Sequence, residues 1–494
     1  MFTFCHEQAK ALAILAFLPM AKGHRTYDEV MQIWFPLLLG AALALTQPPA
    51  PLGFLAPLPL IGLLTRGGFR YGFWAGVGFW ALHLVWLPFS FVVLFETLWG
   101  AVPYLPLVLI KAAIWGLVFC LTWGRPMARA GLWVVQEYLT SLGEIAFPWG
   151  FVGYALVDAP GRVLASLGGV YLLSLVVLGV ALGLHGAWLR LRKDPVVLSW
   201  PALGLAGLGL FWVGLWVMPL PTAQGGEKAL LVQGNINPLR KLEGAPAEQI
   251  YLQLTRQGLQ AHPDTRVVIW PETAVSGFSP ELMALLGRRE LLSGLETGLT
   301  NRVVRVYKGQ VTHFYDKNRL VPFGENFPWS AVLRPVYRFF FRALGLDGEL
   351  ASRIPGTAYT PLGKYGAFIC YESVFPAVAR NLVLNGAEVL QLGSNDAWFG
   401  PSFGGLQHFQ MGRLRAVETG RWLLRAGNDG VTAIIDPYGR VTARIPQRQP
   451  GFLAGQFAFL QVQTPYVRWG GWAVVLAGAL GLLGLHNRAK SPIV

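Results

Sequence analysis

The hexapeptide AFICYE, residues Ala367–Glu372, begins apolar and turns polar at a thiol and a carboxylate. Three more short apolar runs end as abruptly in polar or turn-forming residues: Ala229–Val232, Val267–Trp270 and Val389–Leu392. Continuous apolar runs bounded by turns are typical of strands buried on both faces of a sheet. The hexapeptide therefore predicts a buried strand followed at once by a thiol and a carboxylate.

Between these runs the sequence has the pattern of helices. We predict them at Ala247–Ala261, Phe375–Asn385 and Gln407–Arg421. Strands that alternate with helices favour a layered α/β domain. In such domains the polar residues at the carboxyl ends of the strands are the usual place for a site.

The composition outside this domain is different. The chain has 494 residues, 53% hydrophobic and 13% charged, whereas soluble proteins carry about 25% charged residues. Residues 34 to 220 are almost wholly apolar and aromatic, residues 227 to 460 are mixed, and a last apolar stretch covers 469 to 485. This distribution indicates a membrane protein with one aqueous domain.

A helix needs roughly 20 apolar residues to cross a bilayer. We predict an α-helical transmembrane bundle of about eight spans, near 34–47, 51–65, 70–93, 99–122, 128–142, 162–189, 197–219 and 466–486. The first two are short and proline-rich, so they are tilted, kinked or joined as a re-entrant pair.

The charges of the connecting loops orient these spans. Cations follow alternate spans, at Arg66 and Arg70, Arg125 and Arg129, Arg190 to Lys193, and Arg488 and Lys490. The positive-inside rule assigns those loops to the cytoplasm. We therefore expect a multi-pass membrane protein divided into an N-terminal bundle (31–221), an extracytoplasmic domain (222–464) and a C-terminal helix with a basic tail (465–494).

Residues 1–30 form an extension that these patterns leave unexplained. Its apolar segment, 9–21, is too short to span, and no convincing signal-peptide cleavage site follows. One hypothesis is that Met31 is the true start. N-terminal peptides of the native protein upstream of Met31 would refute it.

The net charge of +14 does not indicate nucleic-acid binding, because many of the cations lie in short loops rather than on one patch. The three cysteines are far apart, and the eight histidines have no metal-ligand spacing. We expect no metal, no cofactor and no disulfide framework.

Three residues are candidates for chemistry, and each has an ordinary alternative. Glu272, fixed by the preceding proline, is a general base or a solvated loop acid. Lys317 is an oxyanion stabiliser or a surface lysine, and Cys370 is a nucleophile or a buried structural thiol. Together they favour catalysis, since an acid can deprotonate the thiol and a lysine can stabilise a tetrahedral intermediate. A triad of Ser394, His408 and Asp396 is less favoured, because no G-x-S-x-G turn surrounds the serine.

Four motifs carry a family resemblance. WPE at 270–272, YDKNRLVPFGE at 315–325 and ICYE at 369–372 resemble the acid, lysine and cysteine motifs of the nitrilase superfamily. NDAWFG at 395–400, followed by Gln407-His408, is more specific. With apolar spans on both flanks, the chain from about Trp34 onward is similar to the bacterial apolipoprotein N-acyltransferase family. The resemblance implies an αββα sandwich for the aqueous domain.

The resemblance also implies a ping-pong acyl transfer. Cys370 would take an acyl group from a phospholipid and pass it to the α-amino group of a lipoprotein's N-terminal diacylglyceryl-cysteine, the final step of lipoprotein maturation. Glu272 would be the base, and Lys317 would stabilise the oxyanion with the backbone N–H of Tyr371. Glu325 and Glu372 would be supporting acids.

Substrate binding is expected at Asn395, Trp398 and Phe399, and at Leu242, where the family pattern has a tryptophan. We expect a monomer. One alternative is a membrane-tethered amidase that uses water as acceptor, although a tether needs only one helix. Another is a transporter, although the halves show no internal symmetry.

Two sets of residues outside the motifs are candidates for lipid contact. The stretch from Trp329 to Leu346 mixes aromatic residues with Arg334, Arg338 and Arg342, and is either a lipid-facing lid or an ordinary amphipathic helix. His83, Lys111 and Glu137 lie within spans, where ionisable groups are costly. They are candidate headgroup contacts.

Overall fold

The computed structural model describes residues 25–95, 98–193, 200–237, 246–343 and 352–486. Leu242 and the first 24 residues, on which two of the predictions above fall, lie outside the described residues.

The N-terminal part is helical, as the apolar composition predicts. Its α-helices are α1 (Arg25–Leu45), α2 (Pro57–Thr65), α3 (Phe69–His83), α4 (Leu87–Phe95), α5 (Tyr104–Leu121), α6 (Pro126–Leu139), α7 (Ala165–Lys193) and α8 (Trp200–Val217). Proline occupies the first turn of α2 and α6, where its missing N–H costs no hydrogen bond.

Small residues let these helices approach one another closely. A Cβ added at Gly40 of α1 would lie 1.9 Å from the Ala75 carbonyl oxygen of α3, and one at Gly78 would lie 2.0 Å from that of Leu37. Small residues at such crossings are typical of helices that pack within a bilayer. The α1–α3 contact therefore depends on these glycines.

Within the described residues, two helical segments are long and apolar enough to cross a membrane, Tyr104–Leu121 and Pro160–Arg192. Shorter apolar helices cover Met31–Leu45, Gly53–Thr65, Leu203–Val217 and Trp472–His486. The eight-span prediction is not confirmed, because most predicted spans correspond to shorter helices. The span predicted at 70–93, for example, is two helices separated by a turn at 84–86.

Helix α7 is broken near its start. Gly168 and Gly169 have non-helical backbone angles, and the φ of Gly169 is +70°. The break leaves the N–H of Val170 without a helical acceptor, and the Glu418 carboxylate accepts it at 2.8 Å. The buried Glu418 carboxylate, from the second half of the chain, therefore caps the helix at the break.

The second half contains two β-sheets. Their strands are β1 (Glu227–Gln233), β2 (Val267–Ile269), β3 (Glu290–Glu296), β4 (Asn301–Tyr307), β5 (Gln310–Asp316), β6 (Tyr365–Ile369), β7 (Val389–Ser394), β8 (Leu423–Gly427), β9 (Thr432–Ile435), β10 (Val441–Ile445) and β11 (Gly451–Phe457). The strand order is β11-β1-β2-β3-β4-β5 in one sheet and β10-β9-β8-β7-β6 in the other. The helices are α9 (Ala247–Ala261), α10 (Pro280–Leu286), α11 (Ser330–Ala343), α12 (Pro376–Leu384), α13 (Gly404–Thr419), α14 (Pro465–Trp469) and α15 (Trp472–His486).

The sheets pack face to face, with β1 against β8 and β9, and helices cover the outer faces. Helix α9 packs on β1 and β11, whereas α12 packs on β6. This is the expected αββα sandwich. Strands β1, β2 and β3 are parallel, as are β6, β7 and β8, so their carboxyl ends lie at common sheet edges.

Helix α13 joins the sandwich to the apolar helices. It packs against α7, and Gln407 in its first turn is fully engaged. The Gln407 Oε1 accepts the indole N–H groups of Trp86 and Trp149 at 2.9 and 2.8 Å. Its amide nitrogen donates to the His83 carbonyl at 3.2 Å. The two halves are thus connected through buried hydrogen bonds as well as apolar packing.

Candidate active site

The acid of the site follows strand β2. Glu272 is 7% exposed, and one of its oxygens accepts the Asn395 backbone N–H at 2.8 Å, just beyond β7. The other oxygen accepts from the Asn301 side-chain amide at 2.6 Å and from Lys317 Nζ at 3.4 Å. A solvated loop acid has none of these contacts, so the geometry favours the general-base interpretation.

Lys317 comes directly after β5 and is 1% exposed, so the surface-lysine alternative is wrong. Its Nζ lies 2.8 Å from Glu325 Oε2 and 3.4 Å from Glu272 Oε1. Burial alone would lower the pKa of Lys317, but the Glu325 and Glu272 carboxylates outweigh it and raise that pKa. The pKa of Glu325 is lowered, because Lys317 and other hydrogen-bond donors outweigh its burial. The lysine is therefore a fixed buried cation.

Cys370 ends β6 and begins a short 3-10 turn, Cys370–Val374. Its φ of +49° lies in the left-handed region, which residues with a Cβ rarely occupy. Burial raises the pKa of the Cys370 thiol, and the Glu272 carboxylate raises it further, more than Lys317 offsets. The Cys370 side chain is therefore a neutral thiol, which would need a base to act as a nucleophile.

Glu372 connects the cysteine turn to the lysine segment. One of its oxygens accepts from the Tyr315 hydroxyl at 2.8 Å and from the N–H groups of Asn318 and Arg319 at 2.8 and 3.2 Å. The other accepts the Ile369 N–H at 2.8 Å. Burial raises the pKa of Glu372 to about 7 although these donors oppose it. The predicted supporting acid thus holds both segments together.

Asn301, at the start of β4, was not singled out from the sequence. It is buried, and its amide nitrogen donates to Glu272 at 2.6 Å and to Glu325 at 2.9 Å. No motif marks it, because its place beside the acids follows from the antiparallel pairing of β4 with β5. Its amide stabilises the two neighbouring carboxylates, so that Lys317 is sufficient as their cation.

A second buried network lies behind the cysteine, and the sequence predicted only some of its residues. His408 of α13 contacts Asp396 through Nδ1 at 2.9 Å, and Arg425 contacts the same carboxylate at 2.7 Å. Ser394 donates to Asp396, whereas Ser373 is the serine that faces His408 Nε2, at 2.8 Å. The less favoured residues Ser394, Asp396 and His408 do lie together, but not in the order of a serine triad.

The Cys370 sulfur, a His408 ring nitrogen and an Asp396 oxygen lie within 4.8 Å of one another, atom types that metal ions use. The Arg425 guanidinium already neutralises this carboxylate. A second cation there would be opposed by like charge.

The predicted substrate residues occupy different places. Asn395 is buried, and its side chain accepts from Asn428 at 3.1 Å, whereas Trp398 is 38% exposed. Phe399 packs edge-on against Trp86 of the helical half, with ring centroids 4.9 Å apart. Tyr371, next to Cys370, donates its hydroxyl to the Ala146 carbonyl at 2.6 Å. The site therefore borders the apolar helices directly.

The ionisable residues of the apolar helices have internal partners. Lys111 Nζ donates to the Phe147 carbonyl at 3.0 Å. Glu137 accepts from the Val152 N–H at 2.8 Å and from the Ser174 hydroxyl at 2.6 Å. These buried contacts favour a structural role for Lys111 and Glu137 over the predicted headgroup contacts.

Helix α11 presents an amphipathic surface. Trp329, Val332, Val336 and Phe339 are all exposed, at spacings of three and four residues. Arg334, Arg338 and Arg342 line an adjacent groove of about 630 Å³. The Trp329 N–H that precedes the helix is held by Glu144 at 2.7 Å. The predicted stretch thus forms a helix with apolar and cationic residues at its surface.

Comparison with known proteins covers both halves. The carbon-nitrogen hydrolase family model matches residues 296–464, and the model of the apolipoprotein N-acyltransferase N-terminal domain matches residues 39–183. A carbon-nitrogen hydrolase structure from Helicobacter pylori G27 is 18% identical, with a TM-score of 0.34, over 46% of this chain and 88% of that chain.

Relatives that match over most of the chain are more similar in sequence. The apolipoprotein N-acyltransferase of Pseudomonas putida is 35% identical over 470 residues, which cover 86% of this chain and 89% of the relative. That of Azotobacter vinelandii is 37% identical over 400 residues, 74% of each chain. With an acid, a lysine and a thiol in one buried site beside apolar helices, this chain belongs to the apolipoprotein N-acyltransferase family.

Proposed function

We propose that the protein transfers an acyl chain from a phospholipid to the α-amino group of a lipoprotein's N-terminal diacylglyceryl-cysteine, through a thioester on Cys370. The observation that carries this proposal is the buried cluster of Glu272, Lys317 and Cys370, set against the apolar helices of a family member.

The first half-reaction forms the thioester. Because the thiol is neutral, Glu272 takes its proton as Sγ attacks the ester carbonyl of the phospholipid. Lys317 and the Tyr371 N–H stabilise the negative charge that develops on the carbonyl oxygen. When the tetrahedral intermediate collapses, the C–O bond breaks and the proton on Glu272 passes to the leaving alkoxide. The products are acyl-Cys370 and a lysophospholipid.

The second half-reaction transfers the acyl group to nitrogen. The neutral α-amine attacks the thioester carbonyl, and Glu272 accepts the proton that the amine loses as the C–N bond forms. The same oxyanion donors act again. The C–S bond then breaks and the thiolate recovers the proton from Glu272. The pocket thus returns to its starting state with an N-acylated lipoprotein released.

The membrane arrangement is part of the proposal. We infer that 31–221 is a bundle which, with the C-terminal helix in 465–494, crosses the inner membrane about eight times, with 222–464 extracytoplasmic as the catalytic domain. The alternating loop cations support this orientation. Both substrates are lipid-anchored, so a site held at the bilayer gains effective concentration from two-dimensional encounter. The enzyme acts as a monomer.

Lipid access is proposed at two surfaces. Trp398 and Phe399 line the acyl path, and the backbone N–H of Asn395 orients Glu272. A role of Leu242 in the choice of acyl donor stays a prediction. Helix α11 lies at the membrane surface, where its arginines attract phospholipid headgroups. Its exposed apolar residues contact the acyl region.

A membrane-tethered amidase would use the same cluster with water as the acceptor. The close packing of Phe399 on Trp86 and the Tyr371–Ala146 hydrogen bond favour the acyltransferase. Through these two contacts the helical half forms part of the site. A simple membrane tether does not need to contact the turn that carries Cys370.

Mass spectrometry of protein incubated with phospholipid vesicles tests the proposal. We expect an acyl adduct on Cys370 and one lysophospholipid per adduct. Cys370→Ser and Glu272→Gln should form no thioester, whereas Cys120→Ser, at an exposed thiol in α5, should behave as wild type. A diacylglyceryl peptide should discharge the adduct as an amide. Discharge by water alone at the same rate would favour the amidase, and no adduct in wild type would refute the thioester.

A further inference from the structure

Behind the nucleophile, His408 contacts the backbone rather than the thiol. Its Nε2 lies 2.9 Å from the carbonyl oxygen of Cys370 and 2.8 Å from Ser373 Oγ. Its Nδ1 lies 2.9 Å from Asp396. The ring is 1% exposed and therefore exchanges neither partner for water.

The Asp396 carboxylate is itself fixed. Arg425 donates to one of its oxygens at 2.7 Å, and Ser394 donates to the other. Arg425 is fully buried and also donates to the Val431 carbonyl at 3.1 Å. The chain of contacts from Arg425 through Asp396 to His408 is therefore rigid, and it ends on the Cys370 carbonyl.

The position of that carbonyl has a direct consequence for the chemistry. The Cys370 C=O and the Tyr371 N–H belong to one planar trans peptide, in which they point in opposite directions. Tyr371 is in the first turn of the 3-10 segment, where N–H groups precede the first intrahelical hydrogen bond. Holding the carbonyl on the His408 side therefore aims the N–H at the opposite side.

The backbone needs such support. Cys370 has its φ at +49°, and residues in that region keep it only where the surroundings hold them there. His408 supplies a contact to this residue's own carbonyl. Gln407, the preceding residue, is fixed by the indoles of Trp86 and Trp149. The turn of α13 that carries His408 is thus immobilised from the helical half as well.

We propose that His408, carrying a proton on each ring nitrogen, is a positioning residue for acyl transfer: Nδ1 donates to Asp396, and Nε2 donates to the Cys370 carbonyl and so orients the Tyr371 N–H as an oxyanion donor. Asp396 and Arg425 set the ring's orientation. The inference rests on the proposed function for its natural substrate. Its chemical content, an oriented oxyanion donor beside Cys370, holds for any acyl ester.

Two substitutions separate the two hydrogen bonds of the ring. In His408→Gln the side-chain amide nitrogen reaches the place of Nε2, so the bond to the Cys370 carbonyl is retained. In His408→Asn the amide nitrogen reaches the place of Nδ1, so only the bond to Asp396 is retained. The rates to compare are acylation of Cys370 by a p-nitrophenyl ester and its alkylation by iodoacetamide. Only acylation passes through an oxyanion.

We expect His408→Asn to slow acylation by roughly 10²-fold, the usual effect of misplacing one oxyanion donor. Alkylation should change by less than about threefold, and His408→Gln should stay within about tenfold of wild type in both reactions. Unfolding temperatures of the variants establish that each is folded. A purely structural role for His408 would slow acylation and alkylation together and make the two variants alike, and that result would overturn the proposal.

The p-nitrophenyl ester keeps this test separate from the proposed function. If wild-type Cys370 is acylated by the ester but not by phospholipid, the lipid reaction fails and the comparison of variants still decides the role of His408. If the ester does not acylate wild-type Cys370, the oxyanion site does not exist and the inference is refuted.

Discussion

Replacing Asn301 by aspartate places a third carboxylate among the charges of the site without changing its size. The amide nitrogen that this substitution replaces lies 2.6 Å from Glu272 and 2.9 Å from Glu325. At 2.6 Å and an effective dielectric constant of about 20, two negative charges repel by about 6 kcal/mol. Carboxylates this close do not ionise together, so the cluster retains a proton at neutral pH.

That proton is shared with Glu272, which can then no longer accept one from Cys370. General-base catalysis contributes roughly 10²- to 10⁴-fold, and we expect Asn301→Asp to slow formation of the acyl-Cys370 adduct by a factor in that range. Because the block is a bound proton, the rate should recover as pH is raised and the cluster ionises.

Asn301→Leu is the matched control. It removes the same amide and adds no charge, so Glu272 keeps its basic form and loses only one donor. We expect about a tenfold loss, without the recovery at high pH, since a hydrogen bond to a charged group is worth about 1.5 kcal/mol. Rates of lysophospholipid release from pH 6.5 to 9 provide the comparison. Equal losses in both variants, or a loss in Asn301→Asp that pH does not relieve, would refute the electrostatic account.

Three further predictions concern stability and lipid binding. Gln407→Leu leaves two buried indole N–H groups without their acceptor and should lower the free energy of unfolding by about 2 to 6 kcal/mol. Gln410→Leu loses hydrogen bonds to Asp158 and Arg413 that are exposed or only partly buried, so it should cost about 1 kcal/mol. Thermal unfolding in detergent measures both. Burial raises the pKa of Glu372 from 4.5 to about 7, so the folded protein holds a proton that the unfolded chain releases between those values, and its stability falls as pH rises through that window. Glu372→Gln should flatten this part of the slope in unfolding at pH 5 and pH 7. Each arginine near an anionic surface contributes about 1 kcal/mol. A peptide of residues 329–343 with glutamine in place of Arg334, Arg338 and Arg342 should therefore bind phosphatidylglycerol vesicles roughly 100-fold more weakly than the native peptide and bind phosphatidylcholine vesicles equally well, as flotation assays will measure.

The strand ends were predictable because their signal is local. An apolar run that stops at Cys370, or at Pro271 before Glu272, identifies both the strand and the residue that its end presents. Helix α9 likewise begins and ends where its pattern predicts. The sequence could therefore supply the candidate groups, Glu272 and Cys370, and their places at strand ends.

The supporting residues were not predictable in the same way. Asn301 reaches Glu272 through the pairing of β4 with β5, and His408 reaches Cys370 from a helix 38 residues further along the chain. Neither contact has a local pattern. The spans were ambiguous for a related reason, because glycine and proline within apolar segments permit a helix to break, as at Gly168 and Gly169 of α7.

The hydrogen bonds of Gln407 bear on how such an enzyme can be divided. Composition marks a sharp border between apolar and aqueous segments, and a protein engineer would cut there to obtain a soluble fragment. In that fragment the Gln407 amide would lose its indole partners. Gln407 is next to His408, which contacts the Cys370 carbonyl. The change in composition therefore does not mark the boundary of an independently folding domain. An excised sandwich should behave as an incomplete protein, and grafting its motifs onto a different membrane anchor should not restore activity unless Trp86 and Trp149 come with them.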